Sequence, residues 1–163
     1  MSMNFKEQPL KSPSESETIT TLVVFPNDTN PMGRLHGGRL IQWMDDASAV
    51  CAQTHAEQIA VTVALDRVLF RSPANTGDII TIKARVTRAF NSSMEIFVQA
   101  WARRVLSKEK HLINEAYFTF VAIDGNGAPV AVPEVAPETA EEKTLYEDAL
   151  LRKLSRSAAA RKP

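Results

Sequence analysis

One proline-free stretch of helical character, from about Gly38 to His55, stands ahead of four strand-like segments joined by short turns, and this order restricts the fold more than any other feature of the chain. At about 1.5 Å per residue the stretch forms a rod of roughly 27 Å, long enough to cross a sheet. Val61 to Phe70, Ile79 to Thr87, Met94 to Arg103 and Leu112 to Ile123 follow it. Thr18 to Phe25 precedes it as a β-branched run, closed by the turn residues Pro26, Asn27 and Asp28. Period-2 alternation sends Ile80, Ile82, Ala84 and Val86 to one face and Thr81, Lys83, Arg85 and Thr87 to the other. The connections 75–78, 90–93 and 107–111 are too short for crossover helices and favour antiparallel neighbours. A lone apolar helix among five strands is covered only if the sheet curls around it. The expected fold class is α+β: an antiparallel sheet of about five strands around one long central helix.

Both ends read differently from the middle. Residues 1–17 are polar, with Pro9 and Pro13, and are expected to form a flexible tail, because they cannot bury enough apolar surface to offset ordering entropy. One domain is expected over 18–135. Beyond it, 136–163 reads as a C-terminal helix and basic tail, with glutamates early and Lys/Arg late, the charge order that complements a helix dipole. Leu145, Leu150, Leu151 and Leu154 give that helix an apolar patch for packing or assembly.

Charge and cysteine content remove several classes of function. With 19 basic and 19 acidic residues the chain has no net charge, so neither nucleic acid nor an anionic membrane surface is an expected partner. Cys51 is the only cysteine, which rules out an intramolecular disulfide and a zinc site built on cysteine pairs. No run of about 18 apolar residues occurs and the first residues lack a secretory pattern, so a cytoplasmic protein is expected.

Within the helix, Asp45 and Asp46 stand side by side, although carboxylates are seldom buried without a partner. At about 100° per residue, Leu40, Met44, Ala47 and Cys51 share one side, and Asp46 falls opposite with Gln42 and Gln53. Asp45 falls at the border, beside Ile41 and Ala52, with small Ser48 and Ala49 one turn on. A carboxylate there is partly desolvated and a better base than a free aspartate; a structural contact to a neighbouring chain is the other reading. Ahead of it, Gly37 and Gly38 at a helix start either make a flexible loop or offer free N–H groups, at the positive end of the dipole, to a developing oxyanion. Asn30 suits an Asx turn or a water-orienting amide, and His36 suits a surface or hydrogen-bonding role.

Four stretches, NDTNPMGRLHGGRLIQWMD, VALDRVLFRSPANTGDII, FNSSMEIFVQAWAR and NEAYFTFVAID, together resemble the hot-dog-fold acyl-CoA thioesterases of the cytosolic acyl-CoA hydrolase type, over about residues 18–135. The resemblance implies hydrolysis of acyl-CoA to free CoA and a carboxylic acid. It implies that Asp45 is the catalytic carboxylate and that Asn30 completes the site from a partner subunit. The Gly37–Gly38 amides would polarise the thioester carbonyl, and His36 stands near the carbonyl pocket. Arg88, Ser92 and Ser93 match positions near the CoA tunnel, while Asn91 stands where the family often carries a basic residue. Asp45 would act either as general base on water or by direct attack to give a mixed anhydride. No metal and no cofactor is expected, CoA being part of substrate and product. The expected assembly is a homo-oligomer built from dimers, with a hexamer among the options.

Two rivals remain at the level of sequence. A hot-dog hydratase needs a histidine paired with a carboxylate, and neither His55 nor His111 sits where the pattern suggests that role. A non-catalytic acyl-CoA-binding regulator would not need the desolvated carboxylate.

Overall fold

In a computed structural model, residues 9–161 are described. The strands are β1 (Thr18–Val23), β2 (Ile59–Phe70), β3 (Ile79–Ala89), β4 (Ser93–Arg103) and β5 (Lys110–Ile123), with helices α1 (Gly37–Ala56) and α2 (Ala140–Ala160). They form one antiparallel sheet of order β1-β3-β4-β5-β2, with β1 and β2 at its two edges. This is the expected α+β hot-dog arrangement. Among the described residues no helix is long and apolar enough to cross a membrane.

The core lies between α1 and the inner sheet face. Leu40, Met44, Ala47 and Cys51 are buried as the helical period requires, against Ile80, Ile82 and Val86 of β3, Ile96 and Val98 of β4, and Phe118 and Phe120 of β5. Burying each large side chain stabilises the fold by about 1.5–3 kcal/mol. Alanines at 84, 100, 116 and 122 keep this face shallow enough for a helix to settle onto it.

Both ends of α1 are tied. At its C-terminus Glu57 takes a left-handed conformation, φ 53°, and its N–H donates to the Gln53 carbonyl at 2.8 Å. The Lys11 ammonium donates to the His55 carbonyl at 3.0 Å and lies 3.4 Å from the Glu57 carboxylate, placing a cation at the negative end of the helix. The expectation of a flexible tail through residue 17 is therefore corrected for 9–17. Lys11 N–H donates to the Glu134 carbonyl, Ala136 N–H donates to that of Lys11, and Pro13 and Ser16 are buried. A few backbone bonds to the 130s segment achieve what the tail's polar composition could not. Residues 1–8 of that expected tail, and 162–163, lie outside the described residues.

Helix α2 begins at a capping box, in which Thr139 Oγ1 accepts from Glu142 N–H and the Glu142 carboxylate accepts from Thr139 N–H. Its apolar patch does not face its own sheet: Leu151 and Leu154 are 63% and 57% exposed. The helix docks instead through Ala149 and a buried ion pair. Arg152 Nε and Nη2 donate to the two oxygens of Glu95 at 2.9 and 2.7 Å, and Thr87 Oγ1 donates to the same carboxylate at 2.7 Å.

Edge strand β2 is open. Ile59, Val61, Val63, Leu65, Leu69 and Phe70 are exposed along it. Its register against β5 breaks at Thr62/Ala64 and Asp66/Leu69, the second break containing Arg67 at φ 48°.

Candidate functional site

The start of α1 is built by His36, whose extended backbone ends the loop and whose carbonyl accepts from Leu40 N–H at 3.1 Å. Its ring Nδ1 accepts from Gly38 N–H at 3.1 Å. The expectation of two free amides is thus narrowed to one. Gly37 N–H has no acceptor among the described residues, while Gly38 N–H is held by the cap. A side chain at position 37 would meet the Phe70 ring at 3.1 Å, so glycine lets that ring approach the helix end.

Asn30 forms the Asx turn: its Oδ1 accepts from Met32 N–H at 3.0 Å and from Arg34 N–H at 3.2 Å. Asn30 and Gly37 then line one cleft of about 340 Å³ with Leu40, Phe70 and Ile113. His36 and Gly38 line a separate one with Asp28 and Gln42.

Asp45 is half-buried and Asp46 exposed, as the helical wheel requires. Asp45 Oδ1 accepts from Thr62 Oγ1 of edge strand β2 at 2.7 Å. Its other oxygen has no donor among the described residues, and Asp45 lines neither of these clefts. Within one chain, Asn30 and Gly37 come together and Asp45 stands apart, beside the open strand. Sequence reasoning missed Thr62. The available signal was a hydroxyl inside the apolar run of β2, close to the strand's first register break.

The other predicted residues gather around the β3–β4 turn. Arg88 stacks on Tyr146 with its guanidinium carbon 4.2 Å from the ring centroid, and it donates to the Tyr146 carbonyl at 3.2 Å. Ser92 and Ser93 follow in the turn, and their half-buried hydroxyls have no partner among the described residues. Arg88, Phe90, Asn91 and Tyr146 line a cleft of about 860 Å³.

Other reactive side chains are committed elsewhere. Burial pushes the Cys51 thiol up to about 12, so it stays protonated and is no nucleophile. His55 is fully buried and bonds the Pro133 carbonyl through Nε2 at 2.8 Å, and His111 approaches the Pro73 carbonyl at 3.3 Å. Neither is hydrogen-bonded to a carboxylate as a hydratase would require.

Residues 32–106 match the model of the thioesterase superfamily. A Bacillus subtilis protein described as the uncharacterized acyl-CoA thioester hydrolase YkhA is 39% identical over 85% of this chain and 80% of its own length. A hexameric acyl-CoA thioesterase solved without ligand superposes with a TM-score of 0.92 at 37% identity, covering 95% of this chain and 99% of that one. The Staphylococcus aureus acyl-CoA hydrolase, solved with butyryl-CoA, CoA and CoA disulfide, gives 0.87 at 40% identity, covering 93% of each chain. Alanine variants of that enzyme, solved separately, replace an asparagine, an aspartate and a threonine. Those three positions are separated by 15 and 17 residues, the spacing of Asn30, Asp45 and Thr62 here. On this sequence and structural likeness, the chain belongs to the acyl-CoA thioester hydrolases of the hot-dog thioesterase superfamily.

Proposed function

We propose that this protein hydrolyses acyl-CoA thioesters to free CoA and a carboxylic acid, with Asp45 as the reacting carboxylate. The observation that carries the reading is the Asp45–Thr62 contact: one carboxylate oxygen is fixed by a hydroxyl at 2.7 Å and the other is left to react. That oxygen either takes a proton from the attacking water or attacks the thioester carbonyl itself. In both routes the C–S bond breaks and CoA leaves as a thiolate that is then protonated. The steps use protein groups and water, with no cofactor.

The carbonyl oxygen rests at the N-terminus of α1, on Gly37 N–H and the positive end of the helix dipole. Gly38 N–H joins when the His36 ring turns aside. Loss of one such donor typically costs about 10²- to 10³-fold in rate. Because Asn30 and Gly37 share a cleft apart from Asp45, a complete site needs two chains, in which Asp45 meets the partner subunit's Asn30 and Gly37. The apolar, unpaired edge of β2 supports a dimer, and the hexameric relative supports dimers gathered into a larger homo-oligomer. Arg88, Ser92 and Ser93 contact CoA. An unpaired, buried Cys51 suits a reducing compartment such as the cytoplasm.

A panel of acyl-CoA esters assayed by release of free thiol tests this. Turnover should fall at least about a hundredfold in Asp45→Asn, within the usual worth of a positioned acid–base group, and stay near the parent's in Asp46→Asn. Undiminished turnover in Asp45→Asn removes the aspartate from the chemistry, and a parent inert on every ester favours the acyl-CoA-binding regulator.

A further inference from the structure

The turn between β4 and β5 carries residues that a mere connection does not need. Residues 103–110 read RRVLSKEK, and all eight are exposed. Leu106, at the tip, is 98% exposed and Val105 is 55% exposed. A turn that only joined two strands would take polar residues there. The loop is closed beneath them: Arg104 N–H donates to the Glu109 carbonyl at 2.9 Å, and Glu109 N–H donates to Ser107 Oγ at 3.3 Å. Cations flank the aliphatic tip. Arg103, Arg104, Lys108 and Lys110 stand against one acid, Glu109, so the segment carries a net charge of +3. Arg104 lies 3.6 Å from Glu109, whereas Arg103, Lys108 and Lys110 have no carboxylate within 4.0 Å among the described residues. Those three line a cleft of about 540 Å³ with Trp101, whose ring centroid lies 5.4 Å from the Lys110 ammonium.

We infer that the β4–β5 hairpin is a docking element for the anionic surface of a lipid bilayer. Val105 and Leu106 enter the headgroup layer, Arg103, Lys108 and Lys110 meet lipid phosphates, and Trp101 supplies a ring of the kind that favours a membrane interface. A bilayer offers hydrocarbon and phosphate in adjacent layers, which is the order of aliphatic tip and cationic collar along this hairpin. The zero net charge of the whole chain, which speaks against such a surface, averages over this segment. The hairpin also stands at a useful end of the sheet. Just beyond it on β5, the Leu112 carbonyl accepts from Ser72 Oγ at 3.0 Å, and His111 approaches the Pro73 carbonyl at 3.3 Å. Ser72 and Pro73 line the cleft of Asn30 and Gly37, so docking brings that cleft toward acyl chains dissolved in the bilayer. The docking itself does not depend on the hydrolase reading.

Flotation of the full-length protein with vesicles of phosphatidylcholine alone, and of phosphatidylcholine mixed with phosphatidylglycerol, tests this. The parent should rise with the anionic vesicles, stay behind with the neutral ones, and detach as salt is raised. Leu106→Ser should weaken binding about tenfold, the low end for withdrawing one leucine from an apolar phase. Lys108→Gln combined with Lys110→Gln should weaken it about 25-fold, at about fivefold per charge near an anionic surface, and should flatten the salt dependence. Leu106→Phe should keep the binding, and Lys143→Gln, on α2, should change nothing. A parent that binds neither vesicle or both equally, or that binds as tightly after these serine and glutamine substitutions, overturns the proposal. Sedimentation velocity without lipid tests a rival occupant, a second copy of the chain: Leu106→Ser should keep the parent's oligomeric size, and a smaller species would assign the tip to contact between copies and overturn docking. Turnover of a short-chain ester free in solution should be the same in Leu106→Ser as in the parent, so that failure of docking and failure of hydrolysis are read separately.

Discussion

The hydroxyl of Thr62, on an outermost strand, donates to Oδ1 of Asp45, on the central helix, across 2.7 Å. This bond fixes the rotation of the carboxylate and, in the proposed site, decides which of its oxygens faces a substrate. Thr62→Val keeps the shape and removes the donor. It should lower kcat by about 10- to 100-fold, the range for a hydrogen bond to a charged group, with KM nearly unchanged. Thr62→Ser should recover most of the loss. A valine variant as fast as the parent would make the contact incidental.

The Glu95–Arg152 pair should dominate the attachment of α2. Glu95 is completely buried and Arg152 is 6% exposed, so removing Arg152 leaves the buried carboxylate with only the longer cationic contact, to Arg156 at 3.9 Å. Arg152→Met should cost about 3–5 kcal/mol in urea unfolding. Adding Glu95→Leu to that variant should regain much of the loss, since an apolar pair of similar volume is often as stable as a buried ion pair. Additive losses in the double variant would contradict this account.

His55 should make stability depend on pH in one direction. Burial lowers its affinity for a proton, and Nε2–H donates to the Pro133 carbonyl, leaving Nδ1 buried without a partner. The unfolded chain protonates near the ordinary value of 6.5, whereas the folded chain resists. The unfolded state therefore binds more protons below that value, and stability is lost as pH falls through it toward the folded pKa. Thermal melts at pH 7.5 and 5.5 should show this drop, and His55→Gln should flatten it. An identical slope in the variant would place the titration elsewhere.

Much of this was legible in the sequence because it depends on period. The alternation of Ile80 to Thr87 and the wheel position of Asp45 relative to Asp46 follow from geometry that a chain repeats residue by residue. Tertiary pairing carries no such signature. Thr62 came to hold Asp45 only when β2 came alongside α1, and Lys11 left the expected tail because the end of α1 and the 130s segment both offered it partners. The leucines of α2 read as a patch for packing or assembly, and pattern alone does not say which: Leu151 and Leu154 do not pack on their own sheet. His36 taking up the Gly38 amide is a side-chain contact that backbone pattern does not encode.

A carboxylate steadied by the rim of a sheet inherits whatever happens at that rim. Strand β2 has neighbours on one side only, and its bared aliphatic row includes Val61 and Val63 on either side of Thr62. On the proposed two-chain site, diluting the protein should dim its turnover while the individual subunits are still intact, so that concentration would act as a dial on the aspartate itself.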